Sequence, residues 1–157
     1  MKLLNQTILA VDDDVDDIQL LQEALAEHSS DARFIAAQGA DDFLHCVFGE
    51  DIKAEKMLVA TPITVPDLIL LDLNMPKLSG LELLQLVRQN PHLCQCKIVM
   101  LTTSDNPADE IKCRHAGADL YLVKPSSFAE LVDLCAVLLH QVLPAPRAAV
   151  AEVFHAR

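Results

Sequence analysis

The chain has 157 residues, 52% of them hydrophobic and only 4% aromatic, which suits a single domain with an aliphatic α/β core. Its formal net charge of −11 argues against direct binding to nucleic acid or to an anionic membrane. No apolar run reaches the length of a membrane span and no signal peptide opens the chain. With five cysteines, an odd number set mostly in apolar patterns, a reducing cytoplasm is expected rather than a disulfide framework. Cys94-Gln95-Cys96 lacks the two-residue spacer of a zinc knuckle and has no second pair.

In chain order, Thr7 to Val11 (TILAV) reads as a short buried strand that runs into Asp12, Asp13 and Asp14, with Asp16 and Asp17 after. Ile18, Leu21 and Leu25 follow at helical spacing. Arg33 to Ala37 reads as a second strand, and Phe43, Leu44 and Val47 mark the helix after it. Residues 49–65 form a long connection, with a weak helical signal from Lys53 to Val59; loops of that length tend to be functional. Leu68 to Leu71 is an unbroken apolar run stopped by Asp72, the habit of a strand buried on both faces. Asn74, Met75-Pro76 and Gly80 turn the chain into a helix carrying Leu81, Leu84 and Val87. Lys97 to Leu101 is a fourth strand ending at Thr102, Thr103 and Ser104; Asn106 or Asp105 can cap a helix that starts at Pro107 and stops before Gly117. Leu120 to Val123 is a fifth strand ending at Lys124-Pro125, followed by a helix to about Val142 with a capping box from Ser127 to Glu130.

Five strand–helix alternations predict an α/β fold, a flavodoxin-like doubly wound (βα)5 with a five-stranded parallel sheet in the order 2-1-3-4-5. In that order the ligand crevice lies between the first and third strands, so Asp12, Asp13 and Asp72 meet there, with Thr102 and Lys124 beside them. Three carboxylates at one edge call for a cation, and a hard divalent ion such as Mg²⁺, with Mn²⁺ as an alternative, suits them. The backbone carbonyl of Asn74 is placed to add a ligand. With the metal bound, a carboxylate can act as nucleophile toward phosphorus, Lys124 can meet one phosphoryl oxygen and Thr102 another. Asp14, Asp16 and Asp17 read as a solvated turn.

The motifs VDDD at 11–14, LLDLNMP with Gly80 at 70–80, LTTS at 101–104 and YLVKP at 121–125 together resemble a response regulator receiver domain of two-component phosphorelays, over roughly residues 5 to 143. The resemblance implies that Asp72 is the phosphoacceptor and Asp13 a direct metal ligand. Asp12 would assist through water, and the Asn74 carbonyl would complete the protein ligands. It further implies that Thr102 is the switch hydroxyl, Lys124 the phosphate-binding lysine, Tyr121 the aromatic switch and Lys124–Pro125 a cis bond. Phosphorylation would then draw Thr102 to the phosphoryl group and let Tyr121 move inward, changing the surface of the last two strand–helix units.

LDLNMPKLSG, RQNPHL, LTTSDNPAD and the long loop also resemble the single-domain type that partners bacterial phytochromes, although Gly117-Ala118-Asp119 follows the general receiver pattern. The implied partners are a sensor histidine kinase, a bacterial phytochrome among the candidates, and a histidine phosphotransfer protein. The domain is expected over 1–143, with 144–157 as a tail too short for an output domain. The protein is read as a signalling module and not an enzyme. A haloacid-dehalogenase-like phosphatase would match Asp12-x-Asp14, but Asp16 stands where that pattern needs Thr or Val, and Asp72 would have no role. A phosphate-independent receiver is the other alternative. In the last helix Leu131, Leu134, Cys135, Leu138 and Val142 form one apolar stripe; Phe128, Val132, Leu139 and Leu143 form a second. The second stripe predicts a homodimer, or a cover made by Val150, Val153 and Phe154.

Overall fold

The computed structural model describes residues 5–49 and 52–145; the expected cover by Val150, Val153 and Phe154 lies outside them. Five parallel strands, β1 (Thr7–Val11), β2 (Arg33–Ala37), β3 (Leu68–Leu71), β4 (Lys97–Thr102) and β5 (Leu120–Val123), form one sheet in the order β2-β1-β3-β4-β5. The helices between and after them are α1 (Val15–Ala26), α2 (Ala40–Phe48), α3 (Gly80–Gln89), α4 (Pro107–His115) and α5 (Phe128–Val137). A π-helical turn, Leu138–Val142, extends α5. Because β3 is apolar at every position, it can be covered on both faces, and all four of its residues are buried. Alternate side chains separate the two cores. Leu9, Val11, Ile69, Leu71, Ile98 and Met100 pack with α2, α3 and Cys113 of α4, whereas Ile8, Ala10, Leu68, Leu70, Val99 and Leu101 pack with α1 and α5.

Local sequence sets the helix starts. The Asp14 side chain accepts from the backbone N–H of Asp16 and Asp17 at the head of α1. Ser79 caps α3, Asn106 caps α4 ahead of Pro107, and Ser127 caps α5 through Glu130 N–H. Gly80 starts α3 so close to the end of β3 that a Cβ there would collide with the Asp72 carbonyl. That approach fixes the helix against the strand that carries Asp72.

The long α2–β3 connection is anchored to the body. Its single short 3₁₀ turn, Ala54–Lys56, falls within the weak helical signal of 53–59. The buried Asn90 amide donates to the carbonyls of Met57 (2.7 Å) and Ala60 (3.0 Å), and Met57 is fully buried. In α5, Val132, Leu139 and Leu143 pack against the α1-side core, so most of the second apolar stripe is used within the fold. The cause is that α5 meets both the sheet and α1, where His28 Nε2 lies 2.8 Å from the Val132 carbonyl. Of the large apolar residues in α5, Phe128 and Val137 are exposed.

Arg88, near the end of α3, ties three segments together. Its guanidinium donates to the carbonyls of Gly117 (2.9 Å), Cys94 (2.9 Å) and Cys96 (2.6 Å) and to the Asp119 carboxylate (3.0 Å). Asp119 in turn accepts from Ile98 N–H, so the α4–β5 turn is locked to β4. Only a planar fork reaches these acceptors at once. Arg88→Ala should lower stability in urea by about 2–3 kcal/mol, and Arg88→Lys should recover less than half of the loss.

Candidate phosphoacceptor site

Strand register brings the candidate residues to one edge. Val11 pairs with Leu71, so Asp12 and Asp72 follow side by side; Asp72 N–H donates to the Val11 carbonyl at 3.0 Å. Thr102 pairs with Val123, and Lys124 N–H donates to the Thr102 carbonyl at 2.7 Å. Asp12, Asp72 and Lys124 are each the first residue past a strand and Thr102 is the last within one, and the backbone N–H of Asp72 and of Lys124 donates to the neighbouring strand.

Asp12, Asp13 and Asp72 each offer a carboxylate oxygen, and these oxygens lie within 4.8 Å of one another. Asp12 and Asp72 are buried and Asp13 is exposed. Lys124 Nζ sits 2.6 Å from Asp12 Oδ2, 2.7 Å from Asp17 Oδ2 and 3.9 Å from Asp72 Oδ1. The Thr102 side chain is fully buried, and its hydroxyl stands near enough to the Asp72 carboxylate to pull its pKa down. Asn74 is exposed two residues beyond Asp72. The Lys124–Pro125 bond is trans, not cis as the family resemblance implies.

Tyr121 differs from the expected sequence of events. Its ring is already buried, and its hydroxyl donates to the Ser104 carbonyl at 2.8 Å. The Ser104 hydroxyl also donates to the Asp109 carboxylate of α4 at 2.6 Å, and its N–H donates to Thr102 Oγ1. Ser104 thus joins Thr102, Tyr121 and α4 in one chain of contacts. The sequence offered no signal for this beyond its place in the run LTTS. Asp17 was also missed. It reads as part of a solvated turn, yet it shares Lys124 with Asp12. Its spacing from Asp14, one N-cap and three helical positions, was the available clue.

The charges explain the protonation state. Burial first, and then the Asp12 carboxylate, push Asp72 up to about 6, against opposing pulls from Lys124 and Thr102. Burial alone would lower Lys124, but the Asp12 and Asp17 carboxylates beside it hold it above its ordinary value. Hard oxygen donors clustered at this spacing, with their mutual repulsion only partly offset, fit a divalent cation. The cysteines form no disulfide among the described residues, and burial pushes the Cys135 thiol up to about 11.

A raised folded-state pKa means that Asp72 costs nothing when protonated in both states, near pH 4 and below, and carries its full cost once ionised above about pH 6. In chelator, Asp72→Asn should be more stable than the parent by about 1–2 kcal/mol at pH 7.5, a value discounted for solvent screening. The difference should shrink as the pH falls toward 4, and a divalent cation should narrow it at neutral pH. Urea unfolding at several pH values checks both.

Comparison with known proteins supplies the family. Residues 8–136 match the response regulator receiver domain. Response regulator Rcp1 of Synechocystis is 34% identical over 129 residues, covering 82% of this chain and 83% of that protein. A probable cyclic di-GMP phosphodiesterase of Vibrio cholerae is 35% identical over 121 residues, 77% of this chain, but the chain spans only 24% of that protein's length. Among solved structures, a receiver domain from Rhodospirillum rubrum aligns with a TM-score of 0.72 at 28% identity, over 89% of this chain and 96% of that one. The phosphorylated cyanobacterial phytochrome response regulator RcpA aligns with a TM-score of 0.70 at 26% identity, over 92% and 100%. The Mn²⁺-bound form of Rcp1 gives 0.68 at 32% identity, over 89% and 99%. Receiver domains are signalling modules, and no helix among the described residues is long and apolar enough to cross a membrane. With its strand order, its edge of acids and these relatives, the chain belongs to the response regulator receiver family.

Proposed function

We propose that this protein is a single-domain, cytoplasmic response regulator that accepts a phosphoryl group on Asp72 from a sensor histidine kinase. The observation that carries the reading is the meeting of the Lys124 ammonium and the Thr102 hydroxyl beside a buried Asp72 within a cluster of acids. Asp12, Asp13 and Asp72, with the Asn74 carbonyl, would hold Mg²⁺ or Mn²⁺, which offsets repulsion between the acids and an incoming phosphoryl group. An Asp72 oxygen bonds to phosphorus as the phosphorus–nitrogen bond of the donor phosphohistidine breaks, and the departing imidazole takes up a proton. Lys124 and the Thr102 hydroxyl receive the new phosphoryl oxygens.

The similarity to Rcp1 and RcpA over most of their lengths supports a bacterial phytochrome as the kinase. The donor would dock near α1 and the β5–α5 loop, and a histidine phosphotransfer protein could take the phosphoryl group onward. The output surface is read as α4–β5–α5, where Ile111, Val123, Phe128 and Val137 are exposed. Tyr121 and Ser104 connect that surface to Thr102. Phosphorylation then deepens a state in which Tyr121 is already inside, shifting a pre-existing equilibrium. We place a two-fold homodimer on the same surface and the folded domain at 1–143, with 144–157 as its tail.

Intact mass after incubation with acetyl phosphate and Mg²⁺ tests the acceptor. The parent should gain one phosphoryl group, about 80 Da by its atomic composition, that Asp72→Asn does not take and chelation abolishes. No adduct and no beryllofluoride binding would overturn the reading in favour of a phosphate-independent receiver. For the dimer, sedimentation of the full chain at micromolar concentration should give a dimer that Phe128→Glu dissociates; a monomeric parent removes it.

A further inference from the structure

We propose that Asp17 is a positioning residue that holds the Lys124 ammonium on α1, away from Asp72, until a phosphoryl group draws it across. The role rests on the reading of Asp72 as the acceptor. Lys124 Nζ lies within hydrogen-bond reach of Asp12 Oδ2 (2.6 Å) and Asp17 Oδ2 (2.7 Å), whereas the nearest Asp72 oxygen is at 3.9 Å, outside that reach. The lysine that should serve the phosphoryl group is therefore engaged elsewhere, by two carboxylates of unequal fate. A divalent cation at the Asp12, Asp13 and Asp72 cluster competes with Lys124 for Asp12. It does not claim Asp17, which lies in the first turn of α1 and outside that cluster.

Asp17 is built into its place. Its N–H donates to Asp14 Oδ1 at 3.3 Å as part of the α1 cap, and its neighbour Ile18 is buried in the fold. Its carboxylate is partly exposed, so the pair with Lys124 is screened but not free in water. Two consequences follow from its charge. A phosphoryl group on Asp72 must take Lys124 from Asp17 and must tolerate a further negative charge close by, so Asp17 opposes the phosphorylated state. A divalent cation gains from the same charge, and gains again because Asp17 shares Lys124 that would otherwise press wholly on Asp12. Asp17 thus favours the metal-loaded, unphosphorylated state over the phosphorylated one.

These opposite signs separate a positioning role from a structural one. The full-length parent, Asp17→Asn and Asp17→Glu are titrated by calorimetry with Mg²⁺ alone, and then with beryllofluoride, which stands in for the phosphoryl group, at saturating Mg²⁺. Asp17→Asn should bind Mg²⁺ about threefold to tenfold more weakly and beryllofluoride about threefold to tenfold more tightly, the span of a partly screened charge-assisted pair. Asp17→Glu, which keeps the charge, should stay within about twofold of the parent in both. Weakening of both ligands in Asp17→Asn would mark a loosened α1 and overturn the proposal. Unchanged beryllofluoride affinity, or a Glu variant that shifts as far as the Asn variant, would also overturn it while leaving the acceptor reading intact. Failure of the parent and both variants to bind beryllofluoride would overturn the acceptor reading itself, and the role of Asp17 with it.

Discussion

Three carboxylates held at the edge of a dry sheet, with one ammonium to answer them, are the constraint on which the rest of this molecule turns. Asp12 and Asp72 are buried there only because β1 and β3 lie side by side in parallel register, with Val11 opposite Leu71. Burial and mutual repulsion raise Asp72, while Lys124 and Thr102 pull it back. An arrangement of this kind is costly in isolation, since charge is taken out of water faster than partners are supplied. The surrounding scaffold has to hold it: β3 buried on both faces, and α3 pressed so closely on the Asp72 carbonyl that only Gly80 fits.

The same scaffold gives the site a route outward. Thr102 ends β4 and Ser104 follows two residues on, linked to Thr102 by its N–H, to α4 by its hydroxyl and to Tyr121 through its carbonyl. Thr102 is thereby joined to α4 and β5 through hydrogen bonds rather than through soft apolar contact alone. On the far side of that turn Arg88 clamps Gly117 and Asp119 to α3 and β4. One end of the α4–β5 segment is thus pinned by Arg88 and the other is hydrogen-bonded to Thr102 through Ser104.

Much of the fold was legible in the chain because its signals were local. Apolar runs of four to six residues closed by Asp, Thr or Lys-Pro marked the strands. Asn106-Pro107 and Ser127 marked two of the helix starts, each through a hydrogen bond spanning two or three residues. The positions of Asp12, Asp13, Asp72, Thr102 and Lys124 were legible for the same reason. Each sits at the end of a strand, and the strand order of a doubly wound sheet carries all five to one crevice. The second stripe of α5 was only partly legible, because a helical wheel counts apolar faces without knowing their partners. Val132, Leu139 and Leu143 are partly buried in the fold, where α5 and its extension pack against α1 as well as the sheet.

What the sequence determined by itself was thus the alternation of elements, their caps and the set of chemical groups at the sheet edge, all consequences of residue order and short-range geometry. Only tertiary structure decided how those groups are shared. Asp17 looks like any acid in a hydrophilic turn until α1 docks and places its carboxylate against a lysine 107 residues away. Arg88 looks like a helix-end cation until Cys94, Cys96 and Gly117 present their carbonyls to it. The 49–65 loop shows no attachment in the sequence until Asn90, at the end of α3, donates to its Met57 and Ala60 carbonyls. The physical reason is common to all three. A hydrogen bond or ion pair between distant segments is set by where packing leaves their side chains, and periodicity along the chain carries no record of that distance.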